Sequence, residues 1–319
     1  NRETNEQLDK ENPRWYMKHL GSIAGVKERH IAEDDETALD MAYKACKKLL
    51  EKNSGVEIDG IIFCTSSGDY ITPPNACILH KMLKLPDEVL AFDFNLACSG
   101  YIYGLMLAWA LINLGKAKNI LLVNSDTHSR YVNRQDRSTR VLFSDGAAVS
   151  LVTNSSSENI IDIKCCTSGS GYDKFIIPAG GCRMPRSEKT GIPKKDNSGN
   201  IRTLEDIHMD GMGILAFVSS KVPPHINKVL KENNMTLDDI DLFIFHQASK
   251  VILDSLTKRL SIDPKKVYSN LEKTGNTVSS SIPIALKDAL DEKRVSEGDL
   301  VLLSGFGAGL SWGSAIIRI

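Results

Sequence analysis

The sequence predicts an α/β fold made of two similar halves. Apolar runs of four to eight residues alternate with helical patterns, which is typical of buried, mostly parallel strands packed against helices. Segments of the first half recur in the second half in the same order, and such a repeat indicates a duplicated unit. The matching pairs are 57–64 with 239–246, 119–123 with 299–303, and 146–152 with 313–319. We therefore expect two pseudo-twofold related halves, residues 1–157 and 158–319, that share one core.

The spacing of apolar residues predicts the helices that accompany these strands. Thr37 to Lys52 and Ser220 to Glu232 each precede a strand and are followed by asparagine, a helix stop signal. Tyr101 to Leu114 forms an apolar helix, and another runs from about Ser279 to Asp291. Between the halves, Pro178 to Asp206 is rich in Gly, Pro, Lys, Arg, Ser and Asn. We expect this segment to be a long solvated connection or flap, with a basic docking surface as the alternative.

Size and charge define the class of protein. A chain of 319 residues with 42% hydrophobic and 25% charged residues is typical of a soluble globular protein. The formal net charge of −1 gives no field that would attract nucleic acid or a membrane surface. The longest apolar stretch, Tyr101 to Leu114, is too short to span a bilayer, and no signal peptide is visible. A start at Asn1 without methionine is compatible with a trimmed or partly ordered version of a longer chain.

The cysteines indicate the compartment. Their number is odd, their spacing is irregular and no CxxC pair occurs, which is typical of reduced thiols rather than of a disulfide framework or a zinc site. They are Cys46, Cys64, Cys77, Cys98, Cys165, Cys166 and Cys182. We therefore expect a cytoplasmic protein without a metal site.

Cys98 differs from the other cysteines because it lies where a short apolar run ends and the apolar helix begins. At a helix N-terminus, unpaired backbone N–H groups and the macrodipole favour an anion. This position is one of the ways in which proteins lower a cysteine pKa and make the thiolate available. Cys98 is therefore the candidate nucleophile, and a buried core thiol is the alternative.

The repeat predicts which side chains meet Cys98. His246 ends the strand pattern 239–246, and Asn276 lies in a loop whose position corresponds to the surroundings of Cys98 in the other half. Strand ends from both halves would bring the three side chains to one crevice, the usual ligand position in open α/β sheets. Taken alone, His246 could be a structural strand-end histidine and Asn276 an ordinary turn residue.

Four ordered motifs give the chain a family resemblance. They are Ala97-Cys98-Ser99-Gly100, His246-Gln247-Ala248, Gly275-Asn276-Thr277 and Gly305-Phe306-Gly307-Ala308-Gly309, with agreement also at Gly25 to His30 and Phe143 to Ala147. In this order and separation they resemble the β-ketoacyl synthase III family of the thiolase-like superfamily, over nearly the whole chain. The resemblance implies that superfamily's five-layered α-β-α-β-α fold. Family members usually begin with another strand before the part that aligns with Asn1. The resemblance therefore implies that this chain lacks that first strand of its first half.

The resemblance implies a decarboxylative condensation without a cofactor, with coenzyme A or phosphopantetheine thioesters as substrates. Cys98 would hold the acyl group as a thioester, which is covalent catalysis. His246 and Asn276 would hydrogen-bond the malonyl thioester and stabilise the enolate left when carbon dioxide departs. The backbone N–H groups of Cys98 and Ala308 would form an oxyanion hole.

Some substrate positions agree with the family and others depart from it. The residues expected to contact substrate are Arg137, Ser249, Phe306 and Gly307. Arg137 matches a coenzyme-contacting arginine, whereas Ser249 and Val251 replace an asparagine and a basic residue that help to bind coenzyme A. His19 to Ala24 stands where a tryptophan and an arginine usually sandwich the adenine, although Arg14 and Trp15 are nearby. These departures point to a carrier protein or to a different acyl-CoA in a secondary pathway.

The expected partners are acyl-CoA or an acyl carrier protein, with no nucleic acid and no membrane. Because a carrier protein is acidic, basic residues near the mouth would be sensible contacts, and an ordinary solvated helix face is the alternative. The candidates are Lys250, Lys258, Arg259, Lys265 and Lys266. Family members are usually homodimers, so the resemblance implies a homodimer in which the strands after Asn119 pair across the interface.

Two other functions remain open from the sequence. The first is an acyltransferase that passes the Cys98 acyl group to an oxygen or nitrogen acceptor, or to water. The second is a non-catalytic partner in a condensing heterodimer. Asn276 favours condensation, because simple transfer needs no donor for a decarboxylating thioester. Retention of all three residues argues against a non-catalytic partner.

Overall fold

The structure is a computed structural model that describes residues 1–155, 157 and 159–319. Its strands are β1 (Arg2–Thr4), β2 (Glu28–His30), β3 (Gly60–Cys64), β4 (Leu90–Phe94), β5 (Asn119–Asp126), β6 (Gly146–Thr153), β7 (Ile160–Thr167), β8 (Phe175–Ile176), β9 (Lys194–Lys195), β10 (Ile201–Arg202), β11 (His208–Met209), β12 (Leu242–Phe245), β13 (Val267–Tyr268), β14 (Leu300–Gly307) and β15 (Ser311–Arg318). Its helices are α1 (Asn5–Glu11), α2 (Met17–Ala24), α3 (Ala38–Lys52), α4 (Asn75–Leu83), α5 (Gly100–Asn113), α6 (Arg137–Arg140), α7 (Gly211–Glu232), α8 (Lys250–Leu260), α9 (Leu271–Thr274) and α10 (Ser281–Asp291).

Five layers stack in the order α-β-α-β-α. One sheet has the strand order β4-β3-β5-β6 and the other has β13-β12-β14-β15-β7. Helices α5 and α10 lie between the sheets, where Ile102 and Ile282 pack with Ile120 and Leu303 of the facing strands. Helices α3 and α4 cover the outer face of the first sheet, and α7 and α8 cover that of the second. The predicted five-layered fold is confirmed.

The two sheets repeat one topology. In the first sheet β4, β3 and β5 are parallel and β6 is antiparallel to β5. In the second, β13, β12 and β14 are parallel and β15 is antiparallel to β14, with β7 added beyond β15. The predicted duplication therefore exists in strand order and direction. The predicted boundary at residues 157 and 158 lies between β6 and β7, and residue 158 is outside the described residues.

The repeated strands begin later than the sequence pattern indicates, at Gly60 and Leu242. The aspartates before them hydrogen-bond to the neighbouring strand. A carboxylate oxygen of Asp59 accepts hydrogen bonds from the backbone N–H groups of Lys118 and Asn119, both at 2.8 Å. Asp241 accepts one from Leu300 at 2.8 Å in the second half. These aspartates therefore fix the start of the neighbouring strand instead of extending their own.

The prediction for α7 was wrong at its N-terminus, because the helix begins at Gly211 and not at Ser220. Asp210 caps it, since its side chain accepts a hydrogen bond from the backbone N–H of Gly213 at 2.9 Å. Glycine has a low helix propensity, so the sequence around Gly211 and Gly213 does not indicate that a helix begins there. Burial of Ile214 and Phe217 against the second sheet stabilises the turn nonetheless.

Strand β5, which begins at Asn119, lies between β3 and β6. Both of its edges are therefore paired within the sheet, whereas β6, the next strand after Asn119, has an outer edge, so the expected pairing of strands after Asn119 across a dimer interface stays a prediction. The free edges of the first sheet belong to β4 and β6. None of the helices in the described part of the chain has the length and apolar character needed to cross a membrane.

Candidate active site

One cavity of about 530 Å³ collects the residues that the sequence predicted for the site. Cys98 follows β4, His246 follows β12 and Ala308 follows β14, so the cavity lies at the carboxyl ends of parallel strands, as expected. The predicted residues on its wall are Cys98, Arg137, His246, Ser249, Asn276, Phe306, Gly307 and Ala308. Both halves of the fold contribute to this one site.

Cys98 lies in a short 3₁₀ turn, Ala97–Ser99, that leads directly into α5. Strand β14 passes against this turn without space for side chains. A Cβ added to Gly307 would lie 2.7 Å from the Cβ of Cys98, and one added to Gly305 would lie 3.0 Å from the carbonyl oxygen of Cys98. The glycines of the Gly-Phe-Gly motif therefore allow the backbone of one half to approach the nucleophile of the other.

The electrostatic environment of Cys98 differs from the sequence-based expectation. The side chain is buried, and burial together with the charge of Asp126 raises the pKa of the Cys98 thiol above its ordinary value. The expected lowering of this pKa by the helix N-terminus was wrong, because desolvation disfavours the thiolate more strongly. The Cys98 nucleophile is therefore a neutral thiol that must lose its proton during attack.

His246 is buried and held at both ends. Its backbone N–H donates to the carbonyl of Ser304 at 2.8 Å, and its ring contacts that of Phe306 edge to face, with centroids 5.6 Å apart. The Nδ1 atom lies 2.6 Å from the hydroxyl oxygen of Ser281, the first residue of α10. Burial lowers the pKa of His246 to about 3, so the imidazole is neutral near pH 7. A hydroxyl can donate to Nδ1 or accept from it, so Ser281 is compatible with a proton on either ring nitrogen.

Acid should destabilise the protein through His246. The folded-state pKa of about 3 lies below the unfolded value of about 6.5, so the unfolded chain binds more protons between these pH values. We expect the free energy of unfolding to decrease as the pH is lowered through this window. We expect His246→Gln to remove the part of this pH dependence that comes from His246. The difference between wild type and variant should then change by about 1.4 kcal/mol per pH unit below about pH 6. Urea denaturation from pH 7 to pH 4 measures it, and a difference independent of pH would contradict the assignment.

Asn276 is fixed by the opposite half of the fold. Its backbone N–H donates to the carbonyl of Leu142, and its own carbonyl accepts from the N–H of Ser144, both at 2.9 Å. The side-chain Oδ1 accepts from the backbone N–H of Val278 at 3.0 Å. The amide nitrogen makes only a long contact of 3.4 Å with the carbonyl of Ala248. Asn276 therefore has a donor group to offer at the cavity wall.

The connection between the halves contributes more to the cavity than a solvated loop would. Strands β9 and β10 form a hairpin whose turn reaches the wall through Asp196, Ser198 and Asn200. The guanidinium of Arg137 donates to the carbonyl of Ser198 at 2.7 Å, so this predicted substrate contact already holds the hairpin. Sequence reasoning missed these residues. The Asp196-to-Asn200 run is typical of a hairpin turn, but nothing in it indicates where the turn lies.

The part of the cavity wall formed by α2 and by the start of α8 is called its mouth here. Leu20 and Ile23 of α2, within the segment His19 to Ala24, line the mouth, whereas Arg14 and Trp15 are not among the residues of the wall. Ser249, the residue before α8, lies on the wall as predicted. Two guanidinium groups lie elsewhere on the same wall, and each is already hydrogen-bonded within the fold, Arg137 to Ser198 and Arg202 to Asp136.

A groove of about 690 Å³ between α7 and α8 adjoins the mouth. Its wall shares Met212, Leu215 and Val251 with the cavity and continues to Lys258 and Arg259. The groove and the cavity therefore share part of one wall.

Family models match two parts of the chain. Residues 92–169 match the model of 3-oxoacyl-[acyl-carrier-protein (ACP)] synthase III. Residues 230–319 match the model of 3-oxoacyl-[acyl-carrier-protein (ACP)] synthase III C terminal. The first match includes Cys98, and the second includes His246 and Asn276.

Curated relatives and solved structures agree over nearly the full length. The chain is 36% identical to a β-ketoacyl-[acyl-carrier-protein] synthase III of Clostridioides difficile, covering 94% of this chain and 89% of the relative. It is 38% identical to one of Campylobacter curvus, covering 95% and 88%. A crystal structure of a 3-oxoacyl-(acyl-carrier-protein) synthase III superposes with a TM-score of 0.96 at 36% identity, covering 100% of this chain and 96% of that one.

Proposed function

The chain belongs to the 3-oxoacyl-[acyl-carrier-protein] synthase III family, and we propose that Cys98, His246 and Asn276 perform its reaction. The enzyme is a condensing acyltransferase that joins an acyl thioester to a malonyl thioester with loss of carbon dioxide. The observation that supports the residue roles is that these three side chains, from both halves, line one cavity.

The first half-reaction loads the enzyme. The sulfur of Cys98 attacks the acyl thioester carbonyl, the carbon–sulfur bond of the donor breaks, and the donor leaves as a free thiol. Because the Cys98 thiol is neutral, its proton must pass to a base and then to the leaving sulfur. His246 is the imidazole on the same cavity wall; because burial disfavours its protonated form, it is proposed to pass the proton on to the leaving sulfur as it takes it from Cys98. The backbone N–H groups of Cys98 and Ala308 are proposed to bind the oxyanion formed during attack.

The second half-reaction forms the carbon–carbon bond. The malonyl thioester loses carbon dioxide, and its electron pair becomes an enolate whose oxygen is stabilised by donors from His246 and Asn276. The enolate carbon attacks the acyl carbonyl on Cys98, and the bond to sulfur breaks. The product is a 3-oxoacyl thioester, and Cys98, released as a thiolate, takes up a proton from water. No cofactor beyond the thioester substrates is needed for these steps. Transfer to an oxygen or nitrogen acceptor is not proposed, because that reaction would not use the hydrogen-bond donor of Asn276.

We further propose that a carrier protein delivers at least one of the two thioesters. Both guanidinium groups on the cavity wall are already engaged within the fold, Arg137 by Ser198 and Arg202 by Asp136 and Asp196, which leaves less positive charge for nucleotide phosphates. Among the basic candidates, Lys266 donates to the carbonyls of Asp238 and Ile240 and is therefore used within the fold. Lys250 pairs with Asp254. Lys258 and Arg259, on the groove beside the mouth, are the best placed to meet an acidic partner.

The test is a condensation assay with purified acyl-CoA, acyl-carrier and malonyl-carrier thioesters. We expect one carbon dioxide per 3-oxoacyl product. Lys258→Glu with Arg259→Glu should raise KM for carrier thioesters about tenfold, because each rim charge contributes modestly to association. A matched control is Lys48→Glu with Lys52→Glu on α3, which should change nothing. Acyl transfer without carbon dioxide would contradict condensation, and an unchanged KM would contradict carrier docking at this groove.

We also propose a cytoplasmic homodimer. All seven cysteines are free, which supports a reducing compartment. The outer edge of β4 is unpaired within the described chain, and Leu90 at its start is exposed. An exposed strand edge is a natural site for pairing with a second copy. Sedimentation equilibrium distinguishes a dimer from a monomer.

A further inference from the structure

Asp126, the last residue of β5, is a fully buried carboxylate that lies behind the cavity. Its Oδ1 accepts hydrogen bonds from the backbone N–H and the hydroxyl of Ser66, each at 2.8 Å. Its Oδ2 accepts one from the hydroxyl of Ser279 at 2.6 Å and one from the N–H of Ser279 at 3.3 Å. Ser66 follows β3 in the first half, and Ser279 belongs to the second half. One carboxylate therefore ties the two halves together beside the site.

Ser279 lies three residues after Asn276, in the same turn of the chain. Between them lies Val278, a fully buried, β-branched residue with φ of 55°. This left-handed conformation is unfavourable for a β-branched side chain and persists only where surrounding contacts determine it. The Oδ1 of Asn276 accepts from the N–H of this same Val278. The direction of the Asn276 amide therefore depends on the unusual backbone that Ser279 helps to hold.

We propose that Asp126 is a positioning residue for decarboxylation: through Ser279 it holds the strained Val278 turn and so aims the amide of Asn276. The inference rests on the proposed function, in which Asn276 donates to the malonyl thioester. It requires no contact between Asp126 and substrate. Loading of Cys98 does not use Asn276, so the two half-reactions should respond differently when the Asp126 contact is lost.

Asp126 has a second effect that a purely structural residue would not have. Its negative charge contributes to the raised pKa of the Cys98 thiol. The other titratable groups beside these two residues are Cys64 on β3 and His128 after β5, and His246 after β12 lies on the same cavity wall as Cys98. Replacing the carboxylate by an amide keeps the shape but removes the charge, so Cys98 should ionise at lower pH.

The experiment compares two rates in Ser279→Ala and Asp126→Asn. Carbon dioxide release from a malonyl thioester should fall about tenfold or more, because a small misplacement of an orienting group has effects of this size. Acyl loading of Cys98, followed by intact mass, should stay close to wild type in Ser279→Ala and should not become slower in Asp126→Asn, where the thiol ionises more readily. In Asp126→Asn the midpoint pH for iodoacetamide alkylation of Cys98 should decrease. The matched control is Ser125→Ala, which removes a buried hydroxyl one residue earlier that donates to the carbonyl of Ala38.

The outcomes separate this inference from the proposed function. If wild type releases carbon dioxide and Ser279→Ala does so equally fast, the positioning role of Asp126 is wrong while the proposed function stands. Equal losses in loading and decarboxylation would also overturn it, because they indicate general damage. If wild type itself releases no carbon dioxide, the proposed function falls and the positioning role falls with it.

Discussion

Cys98→Ala should abolish acyl transfer to the protein. Without the sulfur no thioester can form, and condensation should fall by at least about 10³-fold, as expected when a covalent nucleophile is removed. Cys64 lies nearby but is fully buried, so it should not substitute for the missing nucleophile. Decarboxylation of a malonyl thioester should persist, because His246 and Asn276 remain. Intact mass after exposure to an acyl-CoA and to an acyl-carrier thioester measures the adduct.

The control for this experiment is Cys77→Ala. Cys77 lies on α4 with an exposed thiol and is therefore the residue that non-specific acylation would find most easily. Its variant should load one acyl group as wild type does. An adduct on Cys98→Ala of the same stoichiometry as on wild type would show that the nucleophile has been assigned wrongly.

His246→Ala and Asn276→Ala should each reduce malonyl decarboxylation by about 10²–10³-fold, the usual cost of removing one donor to a developing oxyanion. If both donors bind the same enolate oxygen, the double variant should lose less than the product of the two single losses. Release of carbon dioxide from a malonyl thioester measures all three variants. His80→Ala, on α4 away from the cavity, is the control for a lost imidazole.

Two results would contradict this assignment. Normal decarboxylation by Asn276→Ala would remove that residue from the step. Strictly multiplicative losses in the double variant would place the two donors on different groups of the substrate. Because His246 is also proposed to assist loading, its variant should in addition load Cys98 more slowly, which Asn276→Ala should not.

The sequence was sufficient for the architecture because the fold repeats itself. Matched apolar runs identify two equivalent sheets, and Cys98 and Asn276 occupy equivalent positions relative to them, so their meeting at one crevice could be expected. His246 belongs to the same argument as the residue that follows β12. The chemical roles of these residues stay predictions, since position alone does not show what a side chain does.

What the sequence could not indicate depends on contacts between distant segments. The pKa of Cys98 depends on burial by β14 and on Asp126, and neither is visible around Cys98 in the chain. The hairpin that reaches the cavity is placed by Arg137, a residue of the first half. The local sequence pattern also gave the wrong start for α7. The helix begins at Gly211, because packing of its apolar face outweighs the low helix propensity of glycine.

The close passage of β14 over Cys98 has a consequence for how the protein is made. A ribosome releases Cys98 long before it releases Gly305 and Gly307, because synthesis proceeds from the N-terminus. Until those glycines arrive, the thiol has no opposing wall, no His246 and no Asn276. A nascent chain therefore carries an ordinary cysteine, and acyl chemistry begins only when the second half has folded onto the first. The order of synthesis therefore delays the proposed acyl transfer until both halves of the fold are present.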